Sequence, residues 1–258
     1  MRKLLLILIL TFPTILVGQD ICHWFPEKCQ HLSNETPKSK IALVIGNTNY
    51  DDDKLDLKNP TNDANLISES FKKLDFNVIL KENLNQEQFL DVLEEFKEKQ
   101  DEYDFSIIYY AGHAIQDGNG HSYILPVDFT DNKQLKDARL FNISTLLRYF
   151  EDSDNKCLMI LDACRNDGNV GLPKPLIEDP KNIKLAYSTS FGNTASDNAT
   201  LPNSLYTSIL STMLNVDGLT ITNILDNTAK FVLIDTKEKQ IPTHYFGVHV
   251  TNIQLKNK

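Results

Sequence analysis

Apolar and polar residues alternate along this chain in blocks of two kinds. Short runs of mostly aliphatic and aromatic residues at 41–45, 76–80, 105–111, 157–161 and 183–188 read as strands. Between them apolar residues recur at helical spacing. Ala64, Ile67, Phe71 and Leu74 fall on one face after the start signal Pro60-Thr61-Asn62-Asp63. Phe89, Leu93 and Phe96 mark a second helix, with Glu and Lys on its exposed side. Further helical patterns cover 143–150, 205–214 and 219–231, and the loose alternation over 246–255 predicts the closing strand. Asp117-Gly118-Asn119-Gly120 is a tight-turn signal, so a hairpin is expected after residue 113, returning through Tyr123-Ile124-Leu125. Gly, Pro, Asn and Asp gather in 165–182, which reads as an exposed loop. The repeated β-α-β order predicts an α/β fold, a mainly parallel sheet with helices on both faces.

The first residues have a different layout. Met1-Arg2-Lys3 is basic, residues 4–17 are apolar but broken by Thr11, Pro13 and Thr14, and Gly18-Gln19-Asp20 turns polar. This reads as a secretory signal peptide over residues 1–19, too short and interrupted for a transmembrane span. It predicts a secreted or periplasmic protein with no membrane attachment after signal removal. Residues 20–39, with Pro26 and Pro37, read as an extension or linker, and 40–258 as the one folded domain. Cys22 and Cys29 lie close enough in sequence to close a small disulfide loop in an oxidising compartment. Cys157 opens an apolar strand and reads as a small buried hydrophobe, which leaves Cys164 as the reactive thiol. Of the 258 residues 41% are hydrophobic and 24% charged, enough apolar material for a sizeable core. The net charge of −9, without a basic stripe, excludes nucleic acid as a natural partner.

Candidate chemistry sits where two strand-like runs finish. One ends in Gly112-His113, and the other leads into Asp162-Ala163-Cys164-Arg165. Parallel strands deliver their C-terminal ends to one sheet edge, where ligands bind. A thiolate activated by a neighbouring imidazole is a strong nucleophile. The 51-residue separation of His113 and Cys164 matches the caspase type of Cys-His arrangement. His121 lies past the turn signal and reads as a hairpin surface residue, and His244 and His249 read as structural. No Cys-x-x-Cys occurs, which excludes a thiol oxidoreductase of that kind.

The chain resembles the caspase-type peptidases, and within them the paracaspases and their bacterial relatives. The resemblance spans roughly residues 40–250. It is carried by Ile107-Ile108-Tyr109-Tyr110-Ala111-Gly112-His113, Tyr123-Ile124-Leu125-Pro126-Val127-Asp128 and Leu161-Asp162-Ala163-Cys164-Arg165-Asn166. The Asn62-Asp63-Ala64 helix start and Ala186-Tyr187-Ser188-Thr189-Ser190 complete it. It implies a three-layer α/β/α sandwich on a mainly parallel six-stranded sheet, with His113 and Cys164 as a catalytic dyad working through a thioester acyl-enzyme. The backbone N–H groups of Cys164 and Ala114 would form the oxyanion hole, although the family usually carries Gly where Ala114 stands. Asp137, flanked by Lys136 and Ala138, departs from the adjacent acid pair that binds calcium in metacaspases. No metal and no cofactor are therefore expected.

The same resemblance points to the substrate. Asp162 stands two residues before Cys164, where classical caspases carry Gln, and Asp63 matches the second pocket acid of paracaspases and metacaspases. Asp197, on the loop after the fifth strand, is a candidate third wall. Carboxylates converging on one pocket hold the planar fork of an Arg better than the point charge of a Lys, and repel Asp. The expectation is an endopeptidase acting on proteins or peptides with a basic P1 residue. The alternative is a caspase-like scaffold whose chemistry has lapsed, which the retention of Cys164 and His113 argues against. Caspases pair through the edge of their last strand, so residues 246–255 offer a mode of homodimerisation. The loop from 165 to 181 is a candidate for self-cleavage, with Lys181 or Lys184 as the point of cleavage, against the alternative of a loop that stays whole.

Overall fold

Strands and helices alternate through the residues that the computed structural model describes, 34–116, 121–129, 141–151, 155–165, 180–189 and 201–256. In chain order they are β1 (Lys40–Gly46), α1 (Pro60–Lys73), β2 (Asn77–Glu82), α2 (Gln86–Gln100), β3 (Phe105–Gln116) and β4 (Ser122–Ile124). There follow α3 (Ile143–Glu151), β5 (Lys156–Arg165), β6 (Ile183–Tyr187), α4 (Leu205–Leu214), α5 (Ile221–Asp235) and β7 (Thr243–Phe246). The sheet runs β2-β1-β3-β5-β6-β7, all parallel except β7, which is antiparallel to β6. β4 pairs antiparallel with the end of β3.

Every residue of β1 is buried, because helices cover both faces of the sheet. On one face α2 and α3 pack Phe89, Leu93, Phe96, Leu146 and Phe150 against Leu43, Ile108 and Met159. On the other, α1, α4 and α5 set Ile67, Phe71, Leu210 and Ile224 against Val44, Ile107 and Ile160. Side chains on β3 alternate accordingly: Ile108, Tyr110 and Ala114 face the first layer, Ile107, Tyr109 and Ala111 the second. The result is a three-layer α/β/α sandwich. Helix ends obey local chemistry: Pro60 begins α1, while Asn85 with Gln88, and Thr220 with Asn223, close capping boxes on α2 and α5.

Several boundaries differ from the sequence reading. β3 and β5 are longer, so positions 113 and 164 lie inside strands rather than past their ends. Where β1 stops at Gly46, the β4 hairpin takes over its edge, pairing Ala114 with Ile124 and Gln116 with Ser122. That keeps polar residues within the ladder and adds a seventh strand to the expected six. The closing strand is residues 243–246, not 246–255. Gly247 ends it with φ +65, at a point where a Cβ would lie 2.7 Å from Lys184 Cβ. Beyond it the chain turns, burying Val250, Ile253 and Leu255 under the α1/α4/α5 side and leaving Val248 68% exposed. The last strand, and with it one of the two sheet edges, is thus β7, the other edge being β2. Lys184 is buried within β6, so it is no exposed cleavage point. Residues 166–179, Asp197, Cys22, Cys29 and the segment 1–33 lie outside the described residues. Among the described residues, no helix is long and apolar enough to cross a membrane.

Candidate functional site

His113 is fixed first by its backbone. Its N–H donates to the Tyr50 hydroxyl at 2.9 Å. Its carbonyl accepts from the Leu125 N–H at 3.0 Å and the Tyr110 hydroxyl at 2.8 Å. Burial pushes the Tyr50 hydroxyl up to about 12 and Tyr110 well above its usual range, so both remain neutral. Gly112 is required by this arrangement, since a Cβ there would sit 2.5 Å from the Tyr110 oxygen and 3.0 Å from that of Tyr50. Asn47, fully buried, ties the surrounding loops together: its amide donates to the Leu125 carbonyl and its side-chain oxygen accepts from the Leu84 N–H.

The imidazole is oriented by the loop between β1 and α1. Nε2 of His113 lies 2.8 Å from the Leu55 carbonyl. A carbonyl only accepts, so Nε2 carries the proton, and in the neutral ring Nδ1 is the accepting nitrogen. The Tyr50 ring tilts by 60° against the imidazole at a centroid distance of 4.9 Å. Leu55 closes a short 3-10 turn that Asp52 caps, and the Leu57 N–H returns to the Thr48 carbonyl at 2.9 Å.

β5 brings position 164 to this histidine. The parallel register pairs Ala111 with Asp162 and His113 with Cys164, on strands about 4.8 Å apart. Positions 162 and 164 share the sheet face covered by α1, α4 and α5, as do 111 and 113. The N–H and C=O of His113 both point toward the β1/β4 side, so backbone alternation turns the Ala114 N–H toward β5. The Ala114 methyl packs into the α2/α3 layer.

Asp63 and Asp162 come together at the start of α4. Asp63, buried on the first turn of α1, accepts at Oδ1 from the Asn203 amide at 3.0 Å and the Ser204 N–H at 2.9 Å. Asp162, buried on β5, accepts at Oδ2 from the Ser204 hydroxyl at 2.6 Å and the Thr207 hydroxyl at 2.7 Å. Thr207 spends its proton on Asp162, so the Tyr109 hydroxyl at 2.5 Å is the donor to Thr207. Desolvation and then the negative charges of Asp162 and Asp63 raise Tyr109 well above its usual range, keeping that proton in place.

The remaining histidines are elsewhere. His121 precedes β4, whose Ser122 pairs with Gln116, about 10 Å along the strand from His113. His244 Nε2 bonds Asp226 at 2.8 Å between β7 and α5, and the His249 N–H donates to the Lys181 carbonyl at 3.2 Å. Tyr50, Leu55, Asn47, Ser204 and Thr207 escaped the sequence reading. Ser204 had a usable signal, an N-cap residue directly before the helical pattern at 205–214. The Leu55 carbonyl had none, because a backbone oxygen leaves no mark in a sequence.

Comparison with known proteins fits this geometry. The human mucosa-associated lymphoid tissue lymphoma translocation protein 1 is 29% identical over 199 residues, covering 75% of this chain and 24% of that protein. A paracaspase of Dictyostelium discoideum is 26% identical over 227 residues, covering 83% of this chain and 52% of that one. The chain thus spans about a quarter and about half of these relatives' lengths. Among solved structures, caspase-1 from Spodoptera frugiperda has a TM-score of 0.67 at 20% identity, covering 87% of this chain and 93% of that one. The Drosophila initiator caspase Dronc has a TM-score of 0.64 at 14% identity, covering 86% of each. The family model for the caspase domain matches residues 39–250, most of the sequence, and this chain belongs to the caspase domain family, with a paracaspase among its relatives.

Proposed function

We propose that this chain cleaves proteins or peptides after Arg, and less well after Lys, through a Cys164–His113 dyad. The observation that carries the proposal is the pairing of position 113 with position 164, beside two carboxylates that meet at Ser204. With Nε2–H committed to Leu55, Nδ1 of His113 takes the thiol proton of Cys164. The thiolate adds to the peptide carbonyl; for the oxyanion to meet the backbone N–H groups of Cys164 and Ala114, the end of the β3–β5 ladder that engages them in this structure has to open. The imidazolium then protonates the leaving amine as the C–N bond breaks, and water hydrolyses the thioester to regenerate the thiol. The P1 guanidinium lies between Asp63 and Asp162, with Asp197 as a third wall. A P1 carboxylate is repelled by the same acids.

The reading extends to the remainder of the chain. Residues 1–19 act as a secretory signal, residues 20–39 as an extension, and the mature enzyme is secreted or periplasmic. Two copies pair through β7, the last strand and one of the two edges of the sheet. Fluorogenic peptides that differ only at P1 test the chemistry. Cys164→Ala should abolish turnover with the fold retained, and Asp162→Asn should lower kcat/KM for Arg substrates by at least about tenfold, the scale of a lost charge-assisted contact. Unchanged Arg kinetics in Asp162→Asn, or efficient cleavage after Asp by the wild type, would remove the pocket assignment.

A further inference from the structure

Three of the hydrogen bonds of Ser204 tie it to different parts of the molecule. Its N–H donates to Asp63 Oδ1 at 2.9 Å, its hydroxyl donates to Asp162 Oδ2 at 2.6 Å, and its Oγ accepts from the Thr207 N–H at 3.0 Å as the N-cap of α4. The two acids come from distant places, the first turn of α1 and the end of β5, and Ser204 bonds to both. Thr207 adds a second hydroxyl to the same Asp162 oxygen. Donors therefore converge on Asp63 Oδ1 and on Asp162 Oδ2, and Asp162 Oδ1 carries none of these bonds.

We propose that Ser204 is a positioning residue for P1 recognition: by holding Asp63 and Asp162 as one oriented carboxylate pair, it sets the preference for Arg over Lys. The inference rests on the pocket reading given above and adds to it the residue that shapes the pocket. The reasoning is geometric. A guanidinium is planar and presents donors in a fixed fork, so its binding depends on where both carboxylates sit and how they are turned. An ammonium is a compact point charge with rotatable donors and tolerates a shifted acid. Releasing Asp162 from the Ser204 hydroxyl frees its carboxylate to rotate, which costs the fork more than the point charge. The α4 N-terminus takes part only as the scaffold that delivers Ser204.

The test compares three variants of the full chain on peptide amides with Arg, Lys or norleucine at P1. Ser204→Gly removes the hydroxyl but is a tolerated N-cap, so the helix survives. Ser204→Thr keeps an Oγ in the same role. Thr220→Ala removes the Oγ that caps α5 through the Asn223 N–H, far from the acids in function, and controls for loss of a cap alone. In Ser204→Gly the Arg/Lys ratio of kcat/KM is expected to fall about fivefold, the scale of one ordinary hydrogen bond, mainly through a higher KM for Arg. Ser204→Thr should restore the ratio, and Thr220→Ala should lower the melting temperature without changing it. A wild type that prefers Arg, joined to a Ser204→Gly variant with an unchanged ratio, overturns the positioning role and leaves the pocket reading standing. A wild type that cuts after norleucine as well as after Arg overturns the pocket reading itself, and this inference with it.

Discussion

The Tyr50 hydroxyl accepts from the His113 N–H while the Tyr50 ring tilts against the imidazole, so one side chain sets both the backbone and the plane of the proposed base. Tyr50→Phe keeps the ring and removes the acceptor, leaving a partly buried N–H without its partner. The expected cost is about 1–3 kcal/mol of stability, read by urea denaturation, together with a lower kcat against Arg substrates. Wild-type values for both would show that Tyr50 is only a filler. At this scale little was legible in advance. His113, Cys164, Asp63 and Asp162 announce themselves by residue type and by the motifs around them. The groups that orient them are a phenol 63 residues away in sequence, a backbone carbonyl and a helix cap. Each gains its meaning only from tertiary contacts.

Elements were easier to read where one face of a helix is buried. The spacing of Ala64, Ile67, Phe71 and Leu74, and of Phe89, Leu93 and Phe96, matches the buried faces of α1 and α2, since amphipathic periodicity survives in the sequence. Strand ends were harder. Hydrophobic runs mark where β3 and β5 are covered by helices, but both strands continue into polar residues because β4 and mutual pairing supply their hydrogen bonds. The apolar residues after position 246 misled for another reason: Val250, Ile253 and Leu255 are buried by a turn that folds them under the helices, not by a ladder. Gly247 makes that turn. Gly247→Ala would force a Cβ to within 2.8 Å of Lys184 backbone at φ +65, so a loss of about 1–3 kcal/mol is expected from overpacking and strain. An unchanged urea midpoint would mean that the β7 end is free to move and that the turn is not set by this glycine.

Across the whole molecule, the parallel sheet order is what pairs residues 51 positions apart. β3 and β5 are neighbours in register, and α1 and α4 pack on the same face, so position 113 is paired with position 164, and two acids, one from α1 and one from β5, meet at Ser204. Cys157 does not compete for this role: it is fully buried on the opposite side, and desolvation pushes its thiol up to about 12, which keeps it protonated and inert. The most direct test of the account is therefore covalent. A peptide acyloxymethyl ketone with Arg at P1, incubated with the protein and located by peptide mass spectrometry, should form one adduct on Cys164. The adduct should be lost in His113→Ala and should form far more slowly from the same peptide with Asp at P1. Labelling that misses Cys164, persists at full rate without His113, or proceeds equally from the Asp peptide would contradict it.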